Sequence, residues 1–244
     1  GGFPVPALMK SGVARRQWFS GYRATYLERD VRDLAALEHL PEFGRLISLI
    51  ALRTGQLINF ADLSRDAGLP MMTLRRYCAL LEATYQFFLL PPYFTNLTKR
   101  IVKAPKLYVV DPGLACYLSG ADTWRILDRQ GRVGALVETW AACELRRLIS
   151  FQDLPIRMCF WRSHEGHEVD FVLEGPGQRI VGLEVKGSSR IDSRDLTGLQ
   201  KMRAALGARM GLGVLAYPGT EIVGIDRNTV AIPFAALFGP GAHV

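Results

Sequence analysis

Apolar side chains recur at helical spacing through the first half of the chain. Between residues 43 and 90 the succession of apolar and polar positions predicts three helices followed by a strand. Gly55 and Gly68 fall where the first and second helices should end, and the sequence GLP gives a tight turn before the third helix. Two helices joined by so short a turn are typical of a helix-turn-helix unit.

A further helix is predicted ahead of this unit. It begins near Trp18, in a segment where aromatic and aliphatic residues alternate with paired charges. The residues that share one face of this helix are Tyr22, Tyr26, Val31 and Leu34. Residues 1–42 are therefore expected to form a helical segment that leads into the helix-turn-helix unit.

A second strand is predicted at residues 106–110, and with the first strand it would make the two-stranded wing of a winged helix. The third helix, from about Pro70 to Glu82, is then the element that would lie in the major groove of DNA. The same fold also serves as a protein-docking or spacer module, so both interpretations stay open. The residues expected to contact nucleic acid are Arg75, Arg76, Lys99, Arg100, Lys103 and Lys106.

Short strands dominate the pattern of the second half. Their order with the helices predicts an α/β domain with a central mixed sheet, so the fold class is multi-domain α/β. We place the winged-helix domain at residues 43–132 and the α/β domain at residues 133–244. The elements predicted in the second domain are a helix at 134–150, strands at 156–161, 168–173 and 180–186, a helix at 193–206, and strands at 212–217 and 229–232.

Charge is unevenly distributed along the chain. The 244 residues carry a formal net charge of +7. Residues 1–133 hold 18 basic and 11 acidic residues, whereas residues 134–244 hold 12 of each. Lys and Arg side chains that neutralise phosphates release counterions, so the basic excess of the first half favours binding to a polyanion such as DNA. Ordinary solubilising charge explains the excess equally well.

Cysteine spacing and hydropathy indicate the cellular environment in which the protein is expected to work. The four cysteines are far apart and form no CxxC pair, so neither a zinc site nor a disulfide framework is indicated. A reduced, cytoplasmic environment is expected. No apolar run approaches the roughly 20 residues that a membrane helix needs, so no membrane partner is expected.

Charged residues interrupt two strands that otherwise have the composition of buried strands. The sequence HEVDFVLEGPGQRIVGLEVKGSS begins at His167. Side chains alternate along a strand, so Asp170 lies on the face opposite its apolar neighbours, and Glu184 and Lys186 do the same on the next strand. The Gly- and Pro-rich connection predicts a hairpin whose antiparallel strands set Asp170 beside residues 182–184. Two carboxylates and an ammonium group are therefore expected to converge.

Glu138 supplies a third carboxylate. It lies on the apolar stripe of its predicted helix with Ala141, Ala142 and Leu145. A glutamate that faces the core needs a cation, a metal or a hydrogen-bond donor as its partner. Convergent carboxylate oxygens are the ligands of a hard divalent ion, which makes Mg²⁺ the expected cofactor and Mn²⁺ its substitute.

These residues resemble the PD-(D/E)xK restriction-endonuclease-like superfamily, which has a helix glutamate, an aspartate on the first hairpin strand and a Glu-x-Lys sequence on the next. The resemblance implies a nuclease-like α/β domain whose catalytic residues are Glu138, Asp170, Glu184 and Lys186. It also implies that Asp170, Glu184 and Glu138 hold Mg²⁺. Lys186 would orient the attacking water or stabilise charge on the scissile phosphate. This sequence has Val169 where the family's name has proline.

A second resemblance is carried by segments spread over most of the chain: GGFP at the start, YLERDVRDL from Tyr26, KLYVVDPGLACYL from Lys106, GALVETWAACEL from Gly134 and FWRSHEGHEVDFVLE from Phe160. They are similar to the C-terminal region of a prokaryotic family of AAA+ ATPases. In that family a nucleotide-binding domain precedes a winged helix and a nuclease-like domain, which implies partnership with the protein's own ATPase domain and allows a homo-oligomer. These 244 residues contain no GxxxxGK[ST] phosphate loop, so ATP is expected to act only through the preceding domain.

Two functions from different classes stay open. The first is a Mg²⁺-dependent nuclease, in which the winged helix supplies DNA affinity and the ATPase supplies regulation or translocation. The second is a catalytically inactive module that binds nucleic acid or a partner, with Asp170, Glu184 and Lys186 as a structural salt-bridge cluster. Glu138 distinguishes them, because a Glu138 that reaches the same cavity favours metal binding, whereas one engaged in packing favours a structural cluster.

Overall fold

The computed structural model describes residues 1–30, 40–94, 103–121 and 123–239. They form two compact units, the first made of Gly1–Leu89 and Lys106–Trp140, and the second of Leu90–Pro105 and Ala141–Val244. The sequence placed the boundary at residue 133, and the division between the units falls within the helix that begins there, Val133–Ser150. Each unit has a hydrophobic core of its own.

The first unit is mainly helical. Its first long helix begins at Gly12, earlier than predicted, because the Ser11 side chain accepts a hydrogen bond from the backbone N–H of Ala14 and caps the helix. The predicted continuation through residues 31–37 lies outside the described residues. The helices are α1 (Pro4–Leu8), α2 (Gly12–Tyr22), a π-helix (Arg23–Asp30), α3 (Leu40–Leu52), α4 (Phe60–Ala67), α5 (Met71–Ala83), α6 (Pro112–Leu118), α7 (Trp124–Arg129) and the first part of α8 (Val133–Ser150).

The turn between α4 and α5 is tight, as predicted. The Asn59 side chain caps α4 by accepting hydrogen bonds from the backbone N–H groups of Ala61, at 2.9 Å, and Asp62, at 3.3 Å. Gly68 ends α4 in the left-handed backbone region, with a φ of 71°, which a glycine adopts at little cost. Gly55 lies beyond the end of α3, in the turn before the first strand, and is not the residue that caps that helix.

Three short strands complete the first unit. They are β1 (Gln56–Leu57), β2 (Phe87–Leu90) and β3 (Lys106–Val109), in the sheet order β1-β3-β2. The sequence predicted β2 and β3 but missed β1, because two residues are too few to show an alternating pattern. Phe43 and Tyr77 meet edge to face in the core of this unit, with ring centroids 5.4 Å apart.

Asp111 joins the first residues of the chain to α6. Its side chain is buried, and Oδ1 caps α6 by accepting a hydrogen bond from the Leu114 N–H at 2.7 Å. The other oxygen, Oδ2, accepts hydrogen bonds from the N–H groups of Gly2 and, at 3.2 Å, Phe3. A side chain at Gly1 would overlap the Asp111 carboxylate. One buried carboxylate therefore satisfies three backbone donors.

The second unit is built on a six-stranded mixed sheet, which confirms the predicted α/β arrangement with a central mixed sheet. The strands are β4 (Arg157–Arg162), β5 (Glu168–Glu174), β6 (Ile180–Val185), β7 (Met210–Tyr217), β8 (Val223–Asp226) and β9 (Thr229–Pro233). The sheet order is β4-β5-β6-β7-β9-β8, with an antiparallel meander from β4 to β6, parallel pairing of β6, β7 and β9, and an antiparallel edge strand β8. The sequence missed β8 and a short helix, α10 (Phe234–Phe238).

A short 3-10 helix, Ser193–Leu196, and helix α9, Thr197–Leu206, make the crossover between β6 and β7. Helix α9 lies close to the sheet, since a side chain at Gly198 would overlap the carbonyl oxygen of Glu168 in β5. Leu199 of α9 is buried in the core of this unit. The segment before α9 is therefore held next to the hairpin of β5 and β6 that carries the predicted site.

Candidate active site

The β5–β6 hairpin places Asp170 beside Glu184. The predicted antiparallel pairing is confirmed by a register in which Phe171 lies opposite Leu183. The Asp170 backbone N–H donates to Glu184 Oε2 at 3.4 Å, and the Val185 N–H donates to Asp170 Oδ2 at 2.9 Å. Each carboxylate thus meets the backbone of the opposite strand.

Asp170 is more buried than most charged side chains are. It is 9% exposed, and its neighbours Val169 and Phe171 are fully buried on the apolar face of β5. Removing a carboxylate from water is costly unless donors replace the lost hydration, and the Val185 N–H is one such donor. Glu184 is less buried than Asp170. The pair therefore has one fixed, buried carboxylate and one that is nearer to solvent.

Lys186 directly follows β6, and both its backbone and its side chain are held. Its N–H donates to the carbonyl oxygen of Ala216 in β7 at 2.8 Å. Its ammonium group forms an ion pair with Asp195, and the side chains of Lys186 and Asp195 are 38% and 8% exposed. Sequence reasoning missed Asp195 as a member of the site.

A local sequence signal for Asp195 does exist. Residues 192–195 read DSRD and form a capping box, in which Asp195 Oδ2 accepts a hydrogen bond from the Asp192 N–H at 2.8 Å. Asp192 in turn accepts from the Arg194 N–H at 2.9 Å. Hydrogen bonds from the Arg194 side chain and backbone lower the pKa of Asp192 to about 2. The capping box predicts where Asp195 lies in the fold, but the contact with Lys186 is tertiary.

Glu138 is engaged within the first unit. Its Oε1 accepts a hydrogen bond from Lys106 Nζ at 2.7 Å and another from the Tyr108 hydroxyl. The side chains of Lys106 and Glu138 are only 4% and 16% exposed. The expectation that a core-facing glutamate needs a partner is confirmed, and the partner is a lysine. A Glu138 that is engaged in packing was expected to have a structural role, and its pairing with Lys106 favours that role over metal binding.

The second unit offers two carboxylates, Asp170 and Glu184, as candidate ligands of a divalent ion. Across residues 1–30, 40–94, 103–121 and 123–239, no group of three or more His, Cys, Asp or Glu residues is placed to hold a metal. Mg²⁺ usually keeps several waters and is bound by one or two protein carboxylates together with substrate phosphate. Asp170 and Glu184 supply two carboxylates side by side, which meets that requirement without Glu138.

The residues predicted to bind nucleic acid are found in different environments. Arg75 and Arg76 are exposed on α5, where their guanidinium groups lie over the rings of Phe60, at 5.2 Å, and Tyr77, at 5.4 Å. Lys103 is exposed. Lys106 is buried and paired with Glu138, so its ammonium group is not exposed on the surface where a nucleic acid would bind, contrary to the prediction. Lys99 and Arg100 lie outside the described residues.

Within the described part of the chain, no helix combines the length and the apolar character that crossing a membrane requires. The longest helix that these residues form, α8, carries charged residues along its length, including Glu144 and Arg147.

The chain is a two-unit, mixed α/β protein with a pair of adjacent carboxylates on one hairpin of a six-stranded sheet. It belongs to the family described as "Domain of unknown function (DUF8612)", whose model matches residues 1–125. A second family model, described as "Domain of unknown function (DUF4143)", matches residues 133–237.

Two curated relatives extend the similarity over nearly the whole chain. They are the uncharacterized proteins Rv2008c of Mycobacterium tuberculosis and Mb2031c of Mycobacterium bovis, each 29% identical over 243 residues. The aligned region covers 99% of this chain and 53% of each relative, so the chain spans about half the length of the curated relatives it matches.

A solved structure shares a limited likeness. It is the half-complex of Thermococcus gammatolerans McrB AAA+ hexamers with bound McrC, which matches 79% of this chain and 71% of the compared chain. The identity is 13% and the TM-score is 0.32. A likeness at this level supports no conclusion about fold or function.

Proposed function

We propose that the chain is the C-terminal region of an AAA+ ATPase that processes DNA, with a winged-helix domain in the first unit and a PD-(D/E)xK nuclease-like domain in the second. The ATPase association is supported by the sequence similarity to such regions and by the match of residues 133–237 to a domain that accompanies AAA ATPases. The aligned region covers 53% of each curated relative, which leaves room in each for a nucleotide-binding domain.

The proposed reaction is hydrolysis of phosphodiester bonds at the β5–β6 hairpin. The observation that carries it is the placement of Asp170 beside Glu184, with Lys186 directly after the strand. Asp170 and Glu184 would hold Mg²⁺, which when bound supplies charge neutralisation at the phosphate and a more acidic water. The Lys186 ammonium group would donate hydrogen bonds to a phosphate oxygen and stabilise the negative charge that develops there.

The DNA is proposed to be bound by the first unit. The element order from α3 to β3 is helix, strand, helix, helix, strand and strand, and α5 would be the helix that enters the major groove. Arg75 and Arg76 supply cations on its exposed face, and Lys103 supplies one next to β3. The aromatic rings beneath Arg75 and Arg76 orient their guanidinium groups before DNA binds.

Replacing both Arg75 and Arg76 with Glu is expected to weaken the binding of duplex DNA at least about tenfold at 0.1 M salt, because two phosphate contacts are replaced by repulsion. The slope of log affinity against log salt concentration should fall in magnitude by about 2. Fluorescence anisotropy with a labelled duplex measures both quantities. The matched control is the Arg125→Glu, Arg129→Glu pair, which makes the same charge change on the exposed surface of α7. Equal binding by the two double variants would rule out α5 as the DNA-contacting helix.

The proposed activity is tested by incubating the chain with supercoiled, linear, single-stranded and branched DNA in Mg²⁺, in Mn²⁺ and in EDTA. We expect strand breaks on at least one of these substrates in Mg²⁺ or Mn²⁺ and none in EDTA. Breaks that persist in EDTA, or intact DNA in every mixture, would count against a metal-dependent nuclease. The four substrates also show whether cleavage requires duplex, single-stranded or branched DNA.

A second candidate function is supported by the ion pairs. Lys186 is paired with Asp195, and Glu138 is paired with Lys106, so two of the four residues that the sequence resemblance implies to be catalytic have ion-pair partners. This arrangement suits an inactive module that binds DNA or a protein partner and regulates the ATPase. Salt-sensitive DNA binding without cleavage, unchanged by Glu184→Gln, is the result that would favour it.

A further inference from the structure

Both the backbone and the side chain of Lys186 are held by contacts with other residues. A lysine side chain loses rotamer entropy when it is fixed, so an ammonium group rarely keeps one position next to solvent without a partner. Lys186 is anchored through its N–H to Ala216, and its side chain is directed to the Asp195 carboxylate. Its position is therefore determined from both ends.

Asp195 is itself held from two sides. One oxygen faces the Lys186 ammonium group, and the other accepts the Asp192 N–H at 2.8 Å. Its side chain is 8% exposed, whereas that of Asp192, the other half of the capping box, is 49% exposed. Capping a helix needs no burial, so capping alone does not account for the difference between the two aspartates.

We propose that Asp195 is a positioning residue that holds the Lys186 ammonium group at the β5–β6 site, an inference that rests on the proposed phosphodiester hydrolysis. The ion pair with this carboxylate restricts the Lys186 side chain, and the remaining N–H donors of the ammonium group stay available to a phosphate oxygen. Helix α9 directly follows the 3-10 helix that carries Asp195, and its close packing against β5 holds this partner in place. The site is thereby extended from the Glu-x-Lys strand to the start of the crossover helix.

The test compares Asp195→Asn with Asp192→Asn. Asn at 195 keeps an acceptor for the Asp192 N–H but loses the charge that faces Lys186, whereas Asn at 192 changes only the exposed half of the capping box. We expect Asp195→Asn to lower kcat for DNA cleavage by about 10- to 100-fold with little change in KM, a range typical of residues that orient a site residue. Asp192→Asn should cleave at nearly the wild-type rate, and Asp195→Glu should recover part of the lost activity.

A second readout does not depend on cleavage. The rate at which an amine-reactive reagent labels Lys186, followed by mass spectrometry and referred to the exposed Lys10 of the same chain, should rise several-fold in Asp195→Asn and stay unchanged in Asp192→Asn. Wild-type kcat and unchanged labelling in Asp195→Asn would overturn the positioning role alone. If wild-type protein shows no cleavage that Glu184→Gln abolishes, the proposed nuclease function itself fails, and the catalytic role of Asp195 fails with it.

Discussion

Asp170→Asn is expected to lower the rate of Mg²⁺-dependent DNA cleavage by at least about 100-fold, because the substitution removes one of two carboxylates that would hold the ion. Asn keeps the shape of the side chain, and its oxygen still accepts the Val185 N–H, so the hairpin should stay folded. The loss should therefore appear as weaker metal binding as well as slower cleavage. Calorimetric titration with Mn²⁺ should give a dissociation constant at least about tenfold higher than that of the wild type.

Asp153→Asn is the matched control for this substitution. Asp153 is exposed in the second unit, so the same chemical change there should leave both Mn²⁺ affinity and cleavage at wild-type levels. Circular dichroism verifies that both variants are folded. Equal Mn²⁺ affinity in Asp170→Asn and Asp153→Asn would show that Asp170 is not a metal ligand, and the carboxylate pair would then be a structural feature of the hairpin.

Asp111→Ala is expected to lower the free energy of unfolding of the first unit by about 2–4 kcal/mol. The substitution removes the cap of α6 and leaves the N–H groups of Gly2, Phe3 and Leu114 without their acceptor. Urea denaturation followed by the fluorescence of Trp18, which packs against Phe3, reports on this region.

Two further variants separate the charge of Asp111 from its hydrogen bonds. Asp111→Asn turns an amide N–H₂ toward backbone donors and should be nearly as destabilising as Ala. Asp128→Ala, at an exposed aspartate of the same unit, should change the free energy of unfolding by less than about 0.5 kcal/mol. A denaturation midpoint for Asp111→Ala equal to that of Asp128→Ala would contradict the proposed role of the buried carboxylate.

The central hairpin could be predicted from sequence because its signal is local. Charged and apolar residues alternate from Glu168 to Phe171 in β5, and the Gly- and Pro-rich connection fixes the antiparallel pairing that brings Asp170 to Glu184. The crossover helix α9 was likewise visible from its apolar spacing. In contrast, all four residues of β8 are exposed, so this edge strand has no inward-facing pattern by which to recognise it.

The partners of the charged residues could not be predicted, because they are set by tertiary packing. Glu138 was expected to need a partner, yet the sequence around it gives no reason to choose Lys106, which lies on strand β3 of the first unit. From its neighbours in the sequence, Lys106 is expected to be a surface cation beside a basic loop. Only the folded structure shows that it is buried. Lys186 and Asp195 illustrate the same limit, since their contact depends on how α9 packs on β5.

The most direct measurement is the rate of DNA cleavage in Mg²⁺ by the wild-type chain and by Glu184→Gln, on whichever of the four substrates is cut. Glu221→Gln makes the same isosteric change at an exposed glutamate of the second unit and serves as the control. The account predicts cleavage by the wild type and by Glu221→Gln, and a loss of at least about 100-fold in Glu184→Gln. Equal rates in all three proteins, or no cleavage by any of them, would contradict a nuclease site at Asp170, Glu184 and Lys186.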